Sequence, residues 1–96
     1  MSYKDEYHPQ VKSDIEKLNR IVAREIHDKH LERILLDPLA HDKLHGNLDG
    51  VISYHFRMNK VDYRIAYSVE ESEQIVYFLM IGKRENFYEI LKRRLL

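Results

Sequence analysis

Two short segments near the middle of the chain place a histidine and two arginines where they could bind a phosphate group. Residues 53–58 and 63–69 alternate polar and apolar side chains, which is typical of half-buried β-strands. His55, Arg57 and Arg64 fall on the polar side of this alternation. Guanidinium groups bind phosphate oxygens in a bidentate manner, and histidine titrates near neutral pH. The three residues therefore predict an anion-binding surface, with a phosphodiester as one candidate ligand.

A turn through residues 59–62 is expected to join the two strands and to set their register. If the first and last residues of this turn face each other, Arg57 lies opposite Arg64 and His55 lies opposite Ala66. Like charges directly across an antiparallel pair are destabilising, so this register predicts a counter-anion between the arginines. The alternative is a solvated face without function, because arginine is mostly exposed in proteins.

Length and composition limit the class of protein. The 96 residues, 44% hydrophobic and 33% charged, predict one small globular domain over residues 1–96. The absence of cysteine excludes disulfides and cysteine-ligated zinc. The N-terminal residues lack the apolar segment of a signal peptide, and the longest apolar run, residues 75–81, is too short to cross a membrane. We therefore expect a soluble, cytoplasmic protein.

The net charge does not favour nucleic-acid binding by itself. Sixteen lysines and arginines balance sixteen acidic residues, so any electrostatic case must rest on local charge. Residues 83–94 hold five basic side chains against two acidic ones. Basic residues also suit the last turn of a helix, so this surplus has a structural explanation of similar weight.

The flanking segments predict the elements that position the polar face. Helical spacing of apolar residues predicts a helix that starts at Pro9 and a second helix that stops at residues 37–38. Two glycines and little periodicity predict an irregular connection over residues 39–50. The other expected elements are a short strand at residues 3–7, a central buried strand at residues 75–81 that Gly82 ends, and a terminal helix from about residue 86.

The order and spacing of several short motifs resemble the RelE/ParE toxin superfamily, and its RelE branch in particular. The motifs are Tyr7-His8-Pro9-x-Val11, Leu36-Asp37-Pro38, Leu44-x-Gly46-x-Leu48-x-Gly50, His55-x-Arg57, Tyr63-Arg64-Ile65-x-Tyr67, and Gly82-Lys83-Arg84 followed by Tyr88. The resemblance implies an α+β fold, with two N-terminal helices packed on a mostly antiparallel four-stranded sheet and a short C-terminal helix. This agrees with the elements predicted from periodicity.

The resemblance also implies a function. RelE-branch proteins are toxins of type II toxin-antitoxin systems, and they are endoribonucleases that cleave mRNA, typically in the ribosomal A site. They use no metal or other cofactor, and a cognate antitoxin silences them. In their reaction the ribose 2'-hydroxyl attacks the adjacent phosphorus and leaves a 2',3'-cyclic phosphate and a 5'-hydroxyl. The antitoxin is expected to wrap the helices and the sheet edge, and to block or displace the terminal helix.

The resemblance assigns the central roles to residues on the two strands. Arg57 and Arg64 would stabilise negative charge on the phosphate oxygens. His55 aligns with a position that is lysine in the best-known RelE enzymes. A histidine near its ordinary pKa of about 6.5 could act as the base for the 2'-hydroxyl at neutral pH without a large shift. A surface histidine without function is the alternative.

The remaining site residues lie towards the C-terminus. Arg84 aligns with the group that stabilises the leaving oxygen, and Tyr88 aligns with a tyrosine that stacks on or orients the substrate. Core packing is the alternative for Tyr88. Lys83 is expected to contact the RNA backbone. Strand alternation also brings Ser53 and Ser68 to the polar face, without a chemical role.

Three other interpretations stay open at this point. The ParE branch shares the fold but contains non-enzymatic poisons of DNA gyrase, and convergence of the predicted site residues on one concave face would favour RelE. A catalytically decayed toxin is consistent with the neutral net charge. A metal site from His27 with His30, or His41 with His45, is a weaker alternative, because no acidic base or catalytic motif surrounds either pair.

Overall fold

The chain begins with an edge strand and builds a helical layer before it completes the sheet. In the computed structural model, which describes residues 2–96, the first elements are β1 (Lys4–Tyr7), α1 (Val11–Glu16), α2 (Arg20–Glu25), a π-helical turn (Ile26–His30) and α3 (Leu31–Leu36). Short 3-10 turns at Pro38–Ala40 and Gly46–Leu48 flank β2 (Asp42–Lys43). The remaining elements are β3 (Ile52–Met58), β4 (Val61–Glu70), β5 (Ile75–Lys83) and α4 (Phe87–Arg94).

The sheet has five strands in the order β1-β5-β4-β3-β2. β1 is parallel to β5, and the other neighbours are antiparallel. The predicted α+β class is confirmed, but the strand count differs, because Asp42–Lys43 pairs with β3 inside the segment expected to be irregular. A two-residue strand is too short to show periodicity. Gly82 does not end β5, which continues to Lys83.

The second helical segment contains one widened turn. Its buried apolar residues Val22 and Ile26 are four positions apart, whereas Ile26 and Leu31 are five apart. The N–H of Leu31 bonds to the carbonyl of Ile26, which is the i→i+5 pattern of a π-helix. The extra residue keeps the apolar stripe on one face. No helix within residues 2–96 is long and apolar enough to cross a membrane.

Apolar side chains cover both faces of the sheet. On one face, the helical layer and the sheet enclose the larger core, which includes Ile26, Ile34, Ile65 and Phe78. On the other face, α4 and the loop before β3 enclose a smaller core of buried residues: Leu48, Val51, Ala66, Met80, Phe87 and Leu91. Because α4 is short, it covers only part of this second face. The end of the sheet near the β3–β4 turn stays open.

A buried ion pair joins the first helix to the last helix. Arg94 on α4 donates to both carboxylate oxygens of Asp14 on α1, at 2.7 and 2.8 Å. Asp14 also accepts the N–H of Ile81, and Arg94 donates to the carbonyl of Leu79. A break in the register between β4 and β5 leaves Leu79 without a ladder partner, as in a β-bulge. The ion pair therefore binds α1, α4 and the irregular part of β5 together.

Candidate active site

A tight turn between β3 and β4 sets the geometry of the polar face. Asn59 and Lys60 have φ angles of 52° and 67°, and Met58 pairs with Val61. A two-residue connection with positive φ at both positions is the type I′ hairpin turn, whose twist matches that of the flanking strands. The connection is therefore two residues, and the predicted turn over residues 59–62 is wrong.

The corrected register changes which side chains face each other. Arg57 lies opposite Asp62, and His55 lies opposite Arg64. The predicted pairing of Arg57 with Arg64, and of His55 with Ala66, is thus shifted by two residues. Strand side chains alternate with a period of two, so the shift leaves every residue on its predicted face. An acidic residue now faces Arg57, where the sequence predicted like charges and an external anion.

The strand ends form an open pocket with a volume of about 350 Å³. Its lining residues are His55, Phe56, Arg57, Asp62, Tyr63, Arg64 and Arg84. Arg84 reaches the pocket because its backbone N–H donates to the carbonyl of Asp62 at 3.0 Å, just beyond β5. Arg64 lies 3.4 Å from the Arg84 carbonyl and donates to it. Four of the predicted site residues therefore lie together in this one pocket.

Tyr88 joins this group from α4. Asn86 has a left-handed φ of 57°, which turns the chain from β5 into the helix. The Tyr88 hydroxyl donates to the Ser53 hydroxyl at 3.2 Å and lies 3.4 Å from Nε2 of His55. The guanidinium carbon of Arg64 lies 4.8 Å from the centre of the Tyr88 ring, within the range of a cation–π contact. One ring face is thus occupied by Arg64, and a stacked base would have to use the other.

The surroundings of His55 favour a neutral imidazole with its lone pair on Nε2. Nε2 lies 3.0 Å from the Ser53 hydroxyl, and Nδ1 lies 4.0 Å from a carboxylate oxygen of Asp42. Partial burial, followed by the positive charge of Arg64, lowers the pKa of His55, and nearby carboxylates oppose this. Asp42 on β2 is a site residue that the sequence reasoning missed. Asp42 pairs with Ser53 across β2 and β3, and this pairing places it near His55. A two-residue strand shows no alternation in the sequence, so the position of Asp42 could not be predicted.

Two other predicted residues lie outside the pocket. Lys83 is exposed and pairs with Tyr63, whereas Arg64 pairs with Gly82. Alternation along β5 therefore turns Lys83 towards the face that carries the helical layer. Ser68 is on the same face as Arg64, four residues further along β4. The RNA contact of Lys83 stays a prediction.

The histidines outside the pocket have separate surroundings. His27 is exposed and lies 3.0 Å from Asp28, whereas His30 is buried and bonds to the Tyr54 hydroxyl at 2.7 Å. His41 packs edge-on against the Tyr54 ring. Within residues 2–96, no three histidine or acidic side chains lie close enough together to hold a metal ion.

Several solved toxin structures share this fold. An arginine-substituted form of E. coli RelE in the free state is 25% identical over the whole of both chains, with a TM-score of 0.76. The RelBE2 toxin-antitoxin complex from Mycobacterium tuberculosis matches 88% of this chain and 100% of that chain, at 19% identity and a TM-score of 0.77. The archaeal RelE-RelB complex from Pyrococcus horikoshii matches 88% of this chain and 98% of that chain, at 23% identity and a TM-score of 0.64.

Sequence comparison gives the family. No curated protein matches the chain. A family model, described as the ParE-like toxin of type II bacterial toxin-antitoxin systems, matches residues 6–92. Because this match spans nearly the whole chain, the protein belongs to the ParE-like toxins, within the RelE/ParE superfamily that its motifs indicated.

Proposed function

We propose that this toxin is a metal-independent endoribonuclease of the RelE type, which cleaves mRNA in the ribosomal A site and so inhibits translation. One observation carries the proposal: His55, Arg57, Arg64 and Arg84 line one pocket, and Tyr88 reaches His55 from α4. A gyrase poison that acts only by binding has no need for a neutral imidazole beside three guanidinium groups. Convergence of these groups is what ribonuclease chemistry requires.

The reaction begins with proton transfer to His55. The lone pair on Nε2 accepts the proton of the ribose 2'-hydroxyl, and the resulting oxygen attacks the adjacent phosphorus. The bond from phosphorus to the 5'-oxygen breaks, which leaves a 2',3'-cyclic phosphate; the departing 5'-oxygen takes a proton from water to become the 5'-hydroxyl, and protonated His55 returns its proton to the solvent. The negative charge of Asp42, 4.0 Å from Nδ1, favours the tautomer with the proton on Nδ1 and the lone pair on Nε2. In the free protein the Ser53 and Tyr88 hydroxyls lie 3.0 and 3.4 Å from Nε2, so the 2'-hydroxyl of the substrate takes their place at the lone pair.

The arginines stabilise the charge that develops on the phosphate. Arg64 is held by the Tyr88 ring and by the carbonyl of Arg84, so its position is set before substrate binds. Preorganised charge of this kind is the largest single contribution to the rate enhancement of many enzymes. Arg57 binds the other phosphate oxygens, and Arg84 stabilises the departing 5'-oxygen. An arginine does this without giving up a proton.

A cognate antitoxin is the proposed protein partner. The M. tuberculosis and P. horikoshii relatives were solved as complexes with their antitoxins, and E. coli RelE was also solved with an antitoxin peptide. These structures support an antitoxin partner for the present chain. The cytoplasm is the proposed location, because mRNA on ribosomes is the proposed substrate.

A cleavage assay tests the proposed function. Primer extension on an mRNA, with and without programmed ribosomes, is expected to show new 5' ends only when the toxin and ribosomes are present. Cleavage of naked RNA would support the ribonuclease but not its dependence on the ribosome. Because the chain belongs to the ParE-like toxins, gyrase inhibition is the main alternative. If no RNA is cut and DNA gyrase loses supercoiling activity, the ParE-type function replaces the proposal.

Replacing Arg64 by glutamine is expected to lower the cleavage rate by about 10²–10³-fold, the usual effect of losing one preorganised charge donor. Single-turnover cleavage at saturating toxin measures this rate. Arg33→Gln is the matched control, since Arg33 is exposed on α3, on the other face of the sheet. Equal rates for both variants would show that Arg64 does not contact the reacting phosphate.

The cleavage rate is expected to depend on pH through His55. Because partial burial and Arg64 lower the pKa of this imidazole, its basic form persists below pH 6.5. The rate should therefore rise with pH in the acid range, with a midpoint below about 6.5. NMR titration of the His55 ring should give the same midpoint. In Arg64→Gln the midpoint should move upward, since one cause of the lowered pKa is removed. A profile that is flat from acid to neutral pH would contradict His55 as the base.

A further inference from the structure

The pocket already contains an anion of its own. The two carboxylate oxygens of Asp62 point to two different arginines: one lies 4.0 Å from Arg57 and the other 3.8 Å from Arg84. A phosphate bound between these guanidinium groups would place two of its oxygens in the same region. The carboxylate of Asp62 thus stands in for the phosphate oxygens.

The hairpin register holds this carboxylate in place. Asp62 on β4 lies directly opposite Arg57 on β3. The backbone carbonyl of Asp62 also accepts the N–H of Arg84. Backbone pairing therefore fixes the position of Asp62 without any help from its side chain. An isosteric Asp62→Asn substitution leaves the backbone bonds intact and removes only the charge.

The contacts of Asp62 are weak enough to exchange with a ligand. The side chains of Arg57 and Arg84 are 65% and 64% exposed, and that of Asp62 is 42% exposed. Solvent-exposed ion pairs of this kind contribute little and are screened by salt. A phosphate can therefore displace the carboxylate, and the remaining negative charge still opposes binding.

We propose that Asp62 is an internal counter-anion that occupies the phosphate-binding position of the free protein and gives way when a phosphate enters. Its charge lowers the affinity of the pocket for isolated phosphate groups, so tight binding requires the additional contacts of a longer RNA. Asp62 thus weakens the binding of short and long RNA alike, and only a longer RNA has further contacts that offset the loss. The choice of RNA as ligand rests on the proposed function, whereas competition with phosphate does not.

Titration with inorganic phosphate at low ionic strength, followed by NMR, tests the competition directly. Asp62→Asn is expected to bind phosphate about fivefold more tightly than the unmodified chain. This is the change in affinity expected when one unit charge is removed near a solvent-exposed site. Asp28→Asn removes the same charge from the helical layer and is expected to leave the affinity unchanged. Arg57→Gln is expected to weaken binding. Equal or weaker binding by Asp62→Asn overturns the proposal, and so does the absence of saturable binding by both proteins.

RNA cleavage by the same proteins separates the two proposals. If Asp62→Asn binds phosphate more tightly but neither protein cuts RNA, Asp62 remains a counter-anion and the ribonuclease function fails. If the unmodified chain cuts RNA but the phosphate affinity does not change in Asp62→Asn, the counter-anion fails alone. When both hold, Asp62→Asn should bind a short RNA and a long RNA more tightly than the unmodified chain does, by a similar factor.

Discussion

Replacing His55 by alanine is expected to lower the rate of RNA cleavage by about 10²–10⁴-fold, the usual contribution of a general base. The imidazole lies among the arginines of the pocket, and its lowered pKa favours the basic form at neutral pH. Its Nε2 lies within hydrogen-bonding distance of Ser53, and Asp42 faces the other ring nitrogen. Single-turnover cleavage, with far-UV circular dichroism as a check of folding, measures the effect.

Two further variants distinguish a base from a merely structural histidine. Added imidazole should restore part of the rate in His55→Ala, because the deleted ring leaves space for it in an open pocket. His55→Lys, which introduces the residue of the best-known RelE enzymes, should keep activity with a pH profile moved to higher pH. His27→Ala is the control, since the His27 side chain is 83% exposed and lies outside the pocket. Full activity in His55→Ala would remove histidine from the mechanism.

Replacing Asp14 by asparagine is expected to lower the free energy of unfolding by about 3–5 kcal/mol, the usual cost of leaving one partner of a buried ion pair unpaired. Asp14 and Arg94 are only 7% and 10% exposed, so water cannot replace the lost contact. The same substitution weakens the bond to the N–H of Ile81. Urea denaturation, with the midpoint and slope fitted separately, measures the change.

A matched control and a double variant isolate the ion pair. Asp28→Asn, at an exposed pair with His27, should change the free energy of unfolding by less than about 0.5 kcal/mol. Asp14→Leu combined with Arg94→Met should be more stable than either single variant, because neither charge is then left buried alone. Equal losses for Asp14→Asn and Asp28→Asn would mean that the pair does not anchor α4.

The ion pair also bears on the expected action of the antitoxin. Tyr88 is on α4, and the helix is held to α1 and β5 through Arg94. Displacing α4 would take Tyr88 away from His55 and would leave Asp14 without its partner. An antitoxin that displaces α4 would therefore have to offset the free energy of these broken contacts with contacts of its own.

Several features followed from local pattern alone. Alternation with a period of two placed His55, Arg57 and Arg64 on one face, and this assignment survives the change in register because the shift is even. The spacing of apolar residues gave the helical layer and the buried strand β5. The motifs indicated the superfamily, which the family model confirms.

Turn geometry and pairing between strands decided the rest. The φ angles of Asn59 and Lys60 set the hairpin register, and so Asp62 rather than Arg64 faces Arg57. Asp42 comes close to His55 because a two-residue strand pairs with β3, and such a strand is too short to show periodicity in the sequence. Periodicity reports which face a side chain occupies, since that depends on its neighbours in sequence. Which charges meet across that face depends on pairing between strands, and only the folded chain determines it.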